Sequence, residues 1–157
     1  MNTLLIFLSI LLVDRFSKAW AFKMLAHASL TPFYGCNIVL TWNTGISWSL
    51  FASDSIAVNY ILTSIIALTI ALFMWYTVRR ALQFQSIIFE TVALAGALSN
   101  LIDRLFYGAV IDFIQLYAGN YSFPVFNIAD VAIFIGACGM MVRTWHHEQR
   151  GCFKSDD

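Results

Sequence analysis

Two acids, Asp112 and Asp130, stand out because the apolar sequence around them offers no evident cation to neutralise them. Other polar groups break the same apolar stretches: Asp14 and Lys18 four residues apart, then Asn100, Asp103 and Arg104, and then Asn127 three before Asp130. Ionised groups beside hydrocarbon are costly and need a reason. Spacings of three and four align each set on one helix face. If Lys18 and Arg104 are the bases available to this group and serve Asp14 and Asp103, the other two carboxyls remain under-compensated. Desolvation and mutual repulsion then favour one shared proton, giving one acid and one base near neutral pH. That is the chemistry of an aspartic peptidase, in which one carboxylate activates water and the protonated partner polarises the scissile carbonyl. The same residues also suit a plain structural role, as ion pairs and hydrogen-bond glue between helices.

The elements that must bring these side chains together are read from the apolar pattern. The 157 residues are 60% hydrophobic and 11% charged, with mean hydropathy +0.74, which marks a membrane protein short enough for a single domain, 1–157. Residues 56–78 carry no charge; as a helix they would rise about 34 Å, enough to cross a hydrocarbon core of about 30 Å. Residues 4–21, 86–106 and 125–145 are also long enough to span. The expectation is an all-α membrane protein of four transmembrane helices with a small extracytoplasmic β hairpin or sheet after helix one. Residues 38–42 have strand character and lead into the turn Asn43-Thr44-Gly45. Arg79 and Arg80 after the second span, with Arg143, Arg150 and Lys154 at or after the fourth, place both termini in the cytoplasm and loops 22–55 and 107–124 outside. Asp112 lies in the second outer loop, so the polar groups converge near the outer boundary.

Aromatic residues fit this orientation. Trp20, Trp42, Trp48, Tyr107, Tyr117, Tyr121 and Phe123 would form an outer belt, with Trp75, Tyr76 and Trp145 at the inner face. Ala93, Gly96 and Ala97, facing Ala132 and Gly136, supply the small residues that let helices three and four approach closely, and Gly96 could also leave room for a ligand. The first span is expected to remain as a helix: Ala26-His27-Ala28 has a cleavage-site pattern, but no base precedes the apolar run and Asp14, Arg15 and Lys18 break it.

Other chemistries find little support. Zero net charge gives no argument for nucleic acid. His27 and the pair His146-His147 fall on opposite sides, so no Ser-His or Cys-His arrangement is expected. Neither HExxH, nor zinc-spaced Cys/His, nor a glycine-rich phosphate loop occurs, so neither metal nor cofactor is expected. Cys36, Cys138 and Cys152 fall in an outer loop, a helix and the tail, which predicts free thiols. A small proton-coupled transporter is the main rival, although its key acid belongs at mid-depth rather than at one boundary. A non-catalytic assembly subunit is a third reading.

Four blocks, VDRFSKAW (13–20), WNTGISWSLF (42–51), GALSNLIDRLFYGAVIDFI (96–114) and FNIADVAI (126–133), occur in an order that resembles bacterial lipoprotein signal peptidase, also called signal peptidase II. The resemblance covers nearly the whole chain. It implies an intramembrane aspartic endopeptidase of the bacterial inner membrane, acting on diacylglyceryl-modified prolipoprotein and cutting just before the lipidated cysteine. A monomer is expected, although the residues themselves leave the oligomeric state open. The catalytic pair it implies falls on Asp112 and Asp130. Substrate-binding or site-shaping positions fall on Asp14, Lys18, Asn43, Gly96, Asn100, Asp103, Arg104, Asn127 and Ala129. The outer hairpin would be a cradle lying on the membrane. Departures are Arg15 where Gln is common, Ala95 and Ser99 in place of glycines, and Ile46-Ser47-Trp48 for an Ala-Ala-Phe pattern. These bear on helix-three packing and the outer loop rather than on the reaction.

Overall fold

The structure, a computed structural model, describes residues 2–25, 29–45 and 55–152, the side chains of 147–152 excepted. Expectations at His27, Trp48, His147, Arg150, Cys152 and Lys154 therefore lie outside the described residues or side chains. Among the described residues, four long helices and four strands follow one another in the order α1 (Thr3–Met24), β1 (Leu30–Phe33), β2 (Cys36–Asn43), α2 (Ile56–Leu82), α3 (Ile88–Tyr107), β3 (Val110–Ala118), β4 (Tyr121–Ser122) and α4 (Ile128–Cys152).

The distribution of side chains is inverted relative to a water-soluble core. The largest fully buried side chains are all polar, Lys18, Glu90 and Asn127 among them, whereas leucine, isoleucine and aromatic side chains cover the outside. Such a surface is unfavourable in water and suits a hydrocarbon solvent, where polar groups must find partners inside the protein. Ile56–Leu82 and Ile128–His146 are long and apolar enough to cross a membrane. α1 and α3 have 22 and 20 residues, also sufficient in length, but Asp14, Arg15, Lys18, Glu90, Asp103 and Arg104 make them too charged to qualify on composition.

α3 is the central helix, in contact with α1, α2 and α4. Its approach to α4 is close because glycines leave no side chain at the crossing. A Cβ on Gly136 would lie 2.6 Å from the Phe89 carbonyl oxygen and 2.7 Å from Ala93 Cβ. At Gly96 the same space is filled by the Ala129 carbonyl, so this glycine serves packing and leaves no room for a ligand. An apolar cluster of Ile70, Leu94 and Leu101, with Phe7 and Phe73 against it, joins α2, α3 and α1.

The hairpin expected after helix one is present as β1 and β2, and it belongs to a small sheet. Residues 110–118, expected as loop, form β3, and the four strands run antiparallel in the order β1-β2-β3-β4. Val-Ile-Asp-Phe-Ile carries the β-branched and aromatic residues that favour a half-buried pleat. β3 pairs with β2, placing Asp112 opposite Thr41 and Val110 opposite Asn43. Ala21, Leu25 and Phe113 form the buried cluster that seats the sheet on the helices, with Ile38, Leu40 and Ile128 packed around it. Trp42 bridges Phe22 and Tyr107 through edge-on ring contacts at 5.9 and 5.6 Å.

Gly136→Ala should lower stability by about 1–3 kcal/mol, the usual cost of overpacking a tight contact. Thermal unfolding in detergent checks this, and an unchanged midpoint would contradict the close α3–α4 contact.

Candidate active site

Asp112 and Asp130 arrive by different routes. Asp112 is held by the β2–β3 ladder, two residues into β3 after the left-handed Gly108 that ends α3. Asp130 is in the first turn of α4, and the chain entering that helix is clamped to β3: the Ile114 N–H donates to the Phe126 carbonyl at 2.8 Å and the Phe126 N–H to the Ile114 carbonyl at 2.9 Å. Asn127 then joins the two acids. Its Nδ2 donates to Asp112 Oδ1 at 2.6 Å, and its backbone N–H donates to Asp130 Oδ2 at 3.2 Å.

Asn127 and Asp130 are also a capping box. The Asp130 N–H donates to Asn127 Oδ1 at 2.9 Å, so each residue's side chain accepts from the other's backbone. Their spacing of three, read from sequence as one helix face, is instead the signature of a helix start. Asn127 precedes α4 rather than belonging to it.

The remaining bonds to the pair come from neutral amides. Asn43 Nδ2 donates to Asp112 Oδ2 at 3.0 Å, and Asn100 Nδ2 donates to Asp130 Oδ1 at 2.8 Å. Among the described residues neither acid forms an ion pair. Asp112 is 2% exposed. Burial above all, and then the nearby Asp130 charge, push its carboxyl up to about 7, against the opposing hydrogen bonds from Asn43 and Asn127.

The other buried acids are fully compensated, which sets the pair apart. Lys18 Nζ lies 2.8 Å from Asp14 Oδ2 and 2.8 Å from Asp103 Oδ2, and donates to Asn100 Oδ1 at 2.7 Å. Asp14 also accepts from the Ser99 hydroxyl at 2.6 Å and from the Ala129 N–H at 2.8 Å, tying α1 to α3 and to the start of α4. Asp103 accepts from the Ile111 N–H at 3.3 Å and pairs with Arg15. Glu90, at the other end of α3, is gripped by both guanidinium nitrogens of Arg143, with Arg80 Nε 3.1 Å away in ionic contact.

One open partner choice is decided here and one expectation is corrected. Asp103 takes Lys18 and Arg15 as partners, and Arg104 instead donates to the Thr44 and Gly45 carbonyls, just past the end of β2. Arg15 therefore joins Lys18 and Arg104 as a third base reaching the group. Sequence reasoning also passed over Ser99 as a hydrogen-bond donor, and Glu90 altogether. A lone acid in an otherwise apolar segment with arginines at neighbouring helix ends was the available sign.

The residues gathered around the pair fall in the four sequence blocks, and comparison with known proteins places the chain. A family profile described as Signal peptidase (SPase) II matches residues 6–146. The chain belongs to the signal peptidase II family. A lipoprotein signal peptidase of Wigglesworthia glossinidia brevipalpis is 38% identical over 133 residues, covering 84% of this chain and 86% of that protein. One from Anaplasma phagocytophilum is 35% identical over 134 residues, covering 85% and 83%. A bacterial membrane enzyme solved by the in meso method at 2.3 Å superposes with a TM-score of 0.70 at 25% identity, covering 95% of this chain and 90% of that one. Within the signal peptidase II frame, every candidate position lies in the described residues. Asn43, Asn100, Asn127, Asp112 and Asp130 are directly hydrogen-bonded to one another, and Asp14, Lys18, Asp103 and Ala129 form the layer behind them.

Lys18→Met should lower unfolding free energy by about 3–5 kcal/mol, because it strips a buried acid of its cation. Chemical unfolding in detergent reads this, and a loss below about 1 kcal/mol, typical of exposed pairs, would contradict a buried ion cluster.

Proposed function

We propose that this chain is an intramembrane aspartic endopeptidase that removes the signal peptide from diacylglyceryl-modified prolipoprotein, cutting just before the lipidated cysteine, with Asp112 and Asp130 as the catalytic pair. The single observation that carries the reading is the pair itself: two acids bonded to the same Asn127, surrounded by amides, without an ion-pair partner among the described residues. A small proton-coupled transporter gains no support from the relatives, which are peptidases by name.

In this mechanism the pair carries one shared proton. The ionised carboxylate takes a proton from the attacking water as its oxygen adds to the scissile carbonyl carbon, while the protonated carboxyl donates to the carbonyl oxygen. Collapse of the tetrahedral intermediate breaks the C–N bond, and a proton passes to the leaving amine. Asn43 and Asn127 orient Asp112, and Asn100 orients Asp130, so the oxygens that react are preset. Asp14, Lys18, Asp103, Gly96 and Ala129 hold the helices that carry those amides, and Arg104 anchors the hairpin beside them.

The membrane arrangement follows from the same logic. In our reading all four helices of a single domain, 1–157, cross the bacterial inner membrane with both termini cytoplasmic. The sheet lies at the outer boundary, and the protein acts as a monomer. Water then reaches the scissile bond while the substrate's acyl chains stay in lipid and enter between helices. Arg79 over Trp75 at 5.2 Å and Arg80 over Tyr76 at 5.7 Å suit a cytoplasmic headgroup layer.

Asp112→Asn and Asp130→Asn should each remain folded and lose at least about a hundredfold in cleavage of diacylglyceryl-modified prolipoprotein, since an amide cannot exchange the proton. Near-normal product release by either purified variant would refute the assignment. Activity should fall as pH rises through about 7, where Asp112 loses its proton and the pair becomes doubly ionised. The sign for stability is the same. Between the ordinary value of 3.8 and about 7 the folded state holds a proton that the unfolded chain releases, so raising pH across that window weakens the fold. Melting of the wild type against Asp112→Asn, in which the loss of stability across that window should be smaller, measures this.

A further inference from the structure

The last turn of α2 carries two adjacent arginines whose surroundings differ. Arg80 is engaged by the protein: its Nη1 donates to the Tyr76 hydroxyl at 3.1 Å, and its Nε lies 3.1 Å from Glu90 Oε1. Glu90 is at the same time gripped by both guanidinium nitrogens of Arg143, which also donates to the Ser86 carbonyl at 2.8 Å. One carboxylate thus serves two arginines and has no charge to spare. Among the described residues Arg79 forms no ion pair. Its guanidinium lies instead over the Trp75 ring, with Cζ 5.2 Å from the centroid.

Direction and depth make an unpaired cation there expensive. Helix side chains lean toward the helix N-terminus, which for the end of α2 means back toward the hydrocarbon. Arg79 and Arg80 follow that lean, each covering the ring of the residue four earlier, at 5.2 and 5.7 Å. Apolar surface also continues past them: Leu82 is 71% exposed, and Phe84, in the turn after the helix, is 100% exposed. With lipid-facing side chains on both sides, the two guanidinium groups lie within the interfacial layer, at the depth of lipid phosphates. A cation in that layer needs a counter-charge. Stacking on a ring leaves the in-plane N–H groups of Arg79 free to meet one.

We propose that Arg79 and Arg80, resting on Trp75 and Tyr76, form a binding site for the phosphodiester of an anionic phospholipid at the cytoplasmic boundary. Arg79 supplies a planar fork that matches two phosphate oxygens. Arg80 adds positive charge that Glu90, shared with Arg143, leaves uncancelled. An anionic lipid brings no ammonium of its own to compete with the arginines, so it is favoured over a zwitterionic one. This inference rests on the proposed crossing of the membrane by α2 and not on the reaction.

The test is thermal unfolding of the purified full-length chain in lipid discs, with phosphatidylglycerol replacing phosphatidylcholine stepwise at fixed ionic strength. The wild-type midpoint should rise and then level off, as the filling of a site requires. Arg79→Gln should lose about half of that rise or more, and so should Arg79→Lys, which keeps the charge but not the fork. Trp75→Leu, which removes the platform under the guanidinium, should also flatten the curve. Lys154→Gln, which removes a positive charge from the tail, should follow the wild type. Curves for Arg79→Gln or Arg79→Lys that superpose on the wild type, or an equal loss in Lys154→Gln, would overturn the proposal in favour of diffuse attraction to an anionic surface. Inorganic phosphate added to phosphatidylcholine discs should leave the midpoint in place; a matching rise would make the ligand a soluble anion and overturn the lipid site. Failure of the underlying reading is separate, since a chain whose α2 does not cross a bilayer would not enter the discs. None of these measurements reads cleavage, so the result is independent of Asp112 and Asp130.

Discussion

Asn127 is the residue on which the site depends, because it bonds to both acids and to the structures that deliver them. Its side-chain amide, with two hydrogens, faces Asp112, Asn100 and the Ile111 carbonyl, while its backbone N–H and side-chain oxygen close the capping box with Asp130. A sheet strand and a helix start are thereby locked in one register. Two acids distant in sequence meet without a cation between them, since neutral amides satisfy their oxygens.

That choice of partners divides the buried acids into two kinds. Asp14, Asp103 and Glu90 have cations at short range and act as fixed ties between helices. Removing a cation from such a tie leaves an uncompensated charge, so these groups stabilise only as complete sets. Asp112 and Asp130 are held by dipoles, which orient them without fixing their charge. The pair can therefore change protonation without breaking the ion pairs that tie the helices together. The glycines of the α3–α4 crossing support this arrangement by bringing the Asn100 and Asn127 backbones close enough for one amide to reach the other.

Much of this was legible in the residues, and the parts that were not have physical reasons. The i,i+4 spacing of Asp14 and Lys18 predicts their contact directly, and the apolar run after Ile56 predicts a spanning helix. The shortage of cations around Asp112 and Asp130 was visible by counting charges. Long-range partner choice was not: nothing local tells Asp103 to take Lys18 and Arg15 rather than its neighbour Arg104, because that depends on how α1 packs against α3. β3 was missed because its pairing partner lies in a different connection between helices, and a strand read alone gives a weak pattern. The capping box was present as Asn-x-x-Asp but lay within a stretch whose apolar pattern extended the helix three residues too far.

The central claim is that the pair holds a proton near neutral pH, and carboxyl infrared spectroscopy of the purified chain in lipid tests it most directly. Titration should reveal a protonated-carboxyl band that disappears on raising pH through about 7 and is altered in Asp112→Asn. A wild-type spectrum in which all carboxyl bands are lost by the ordinary carboxylate range, near pH 4, would contradict the account.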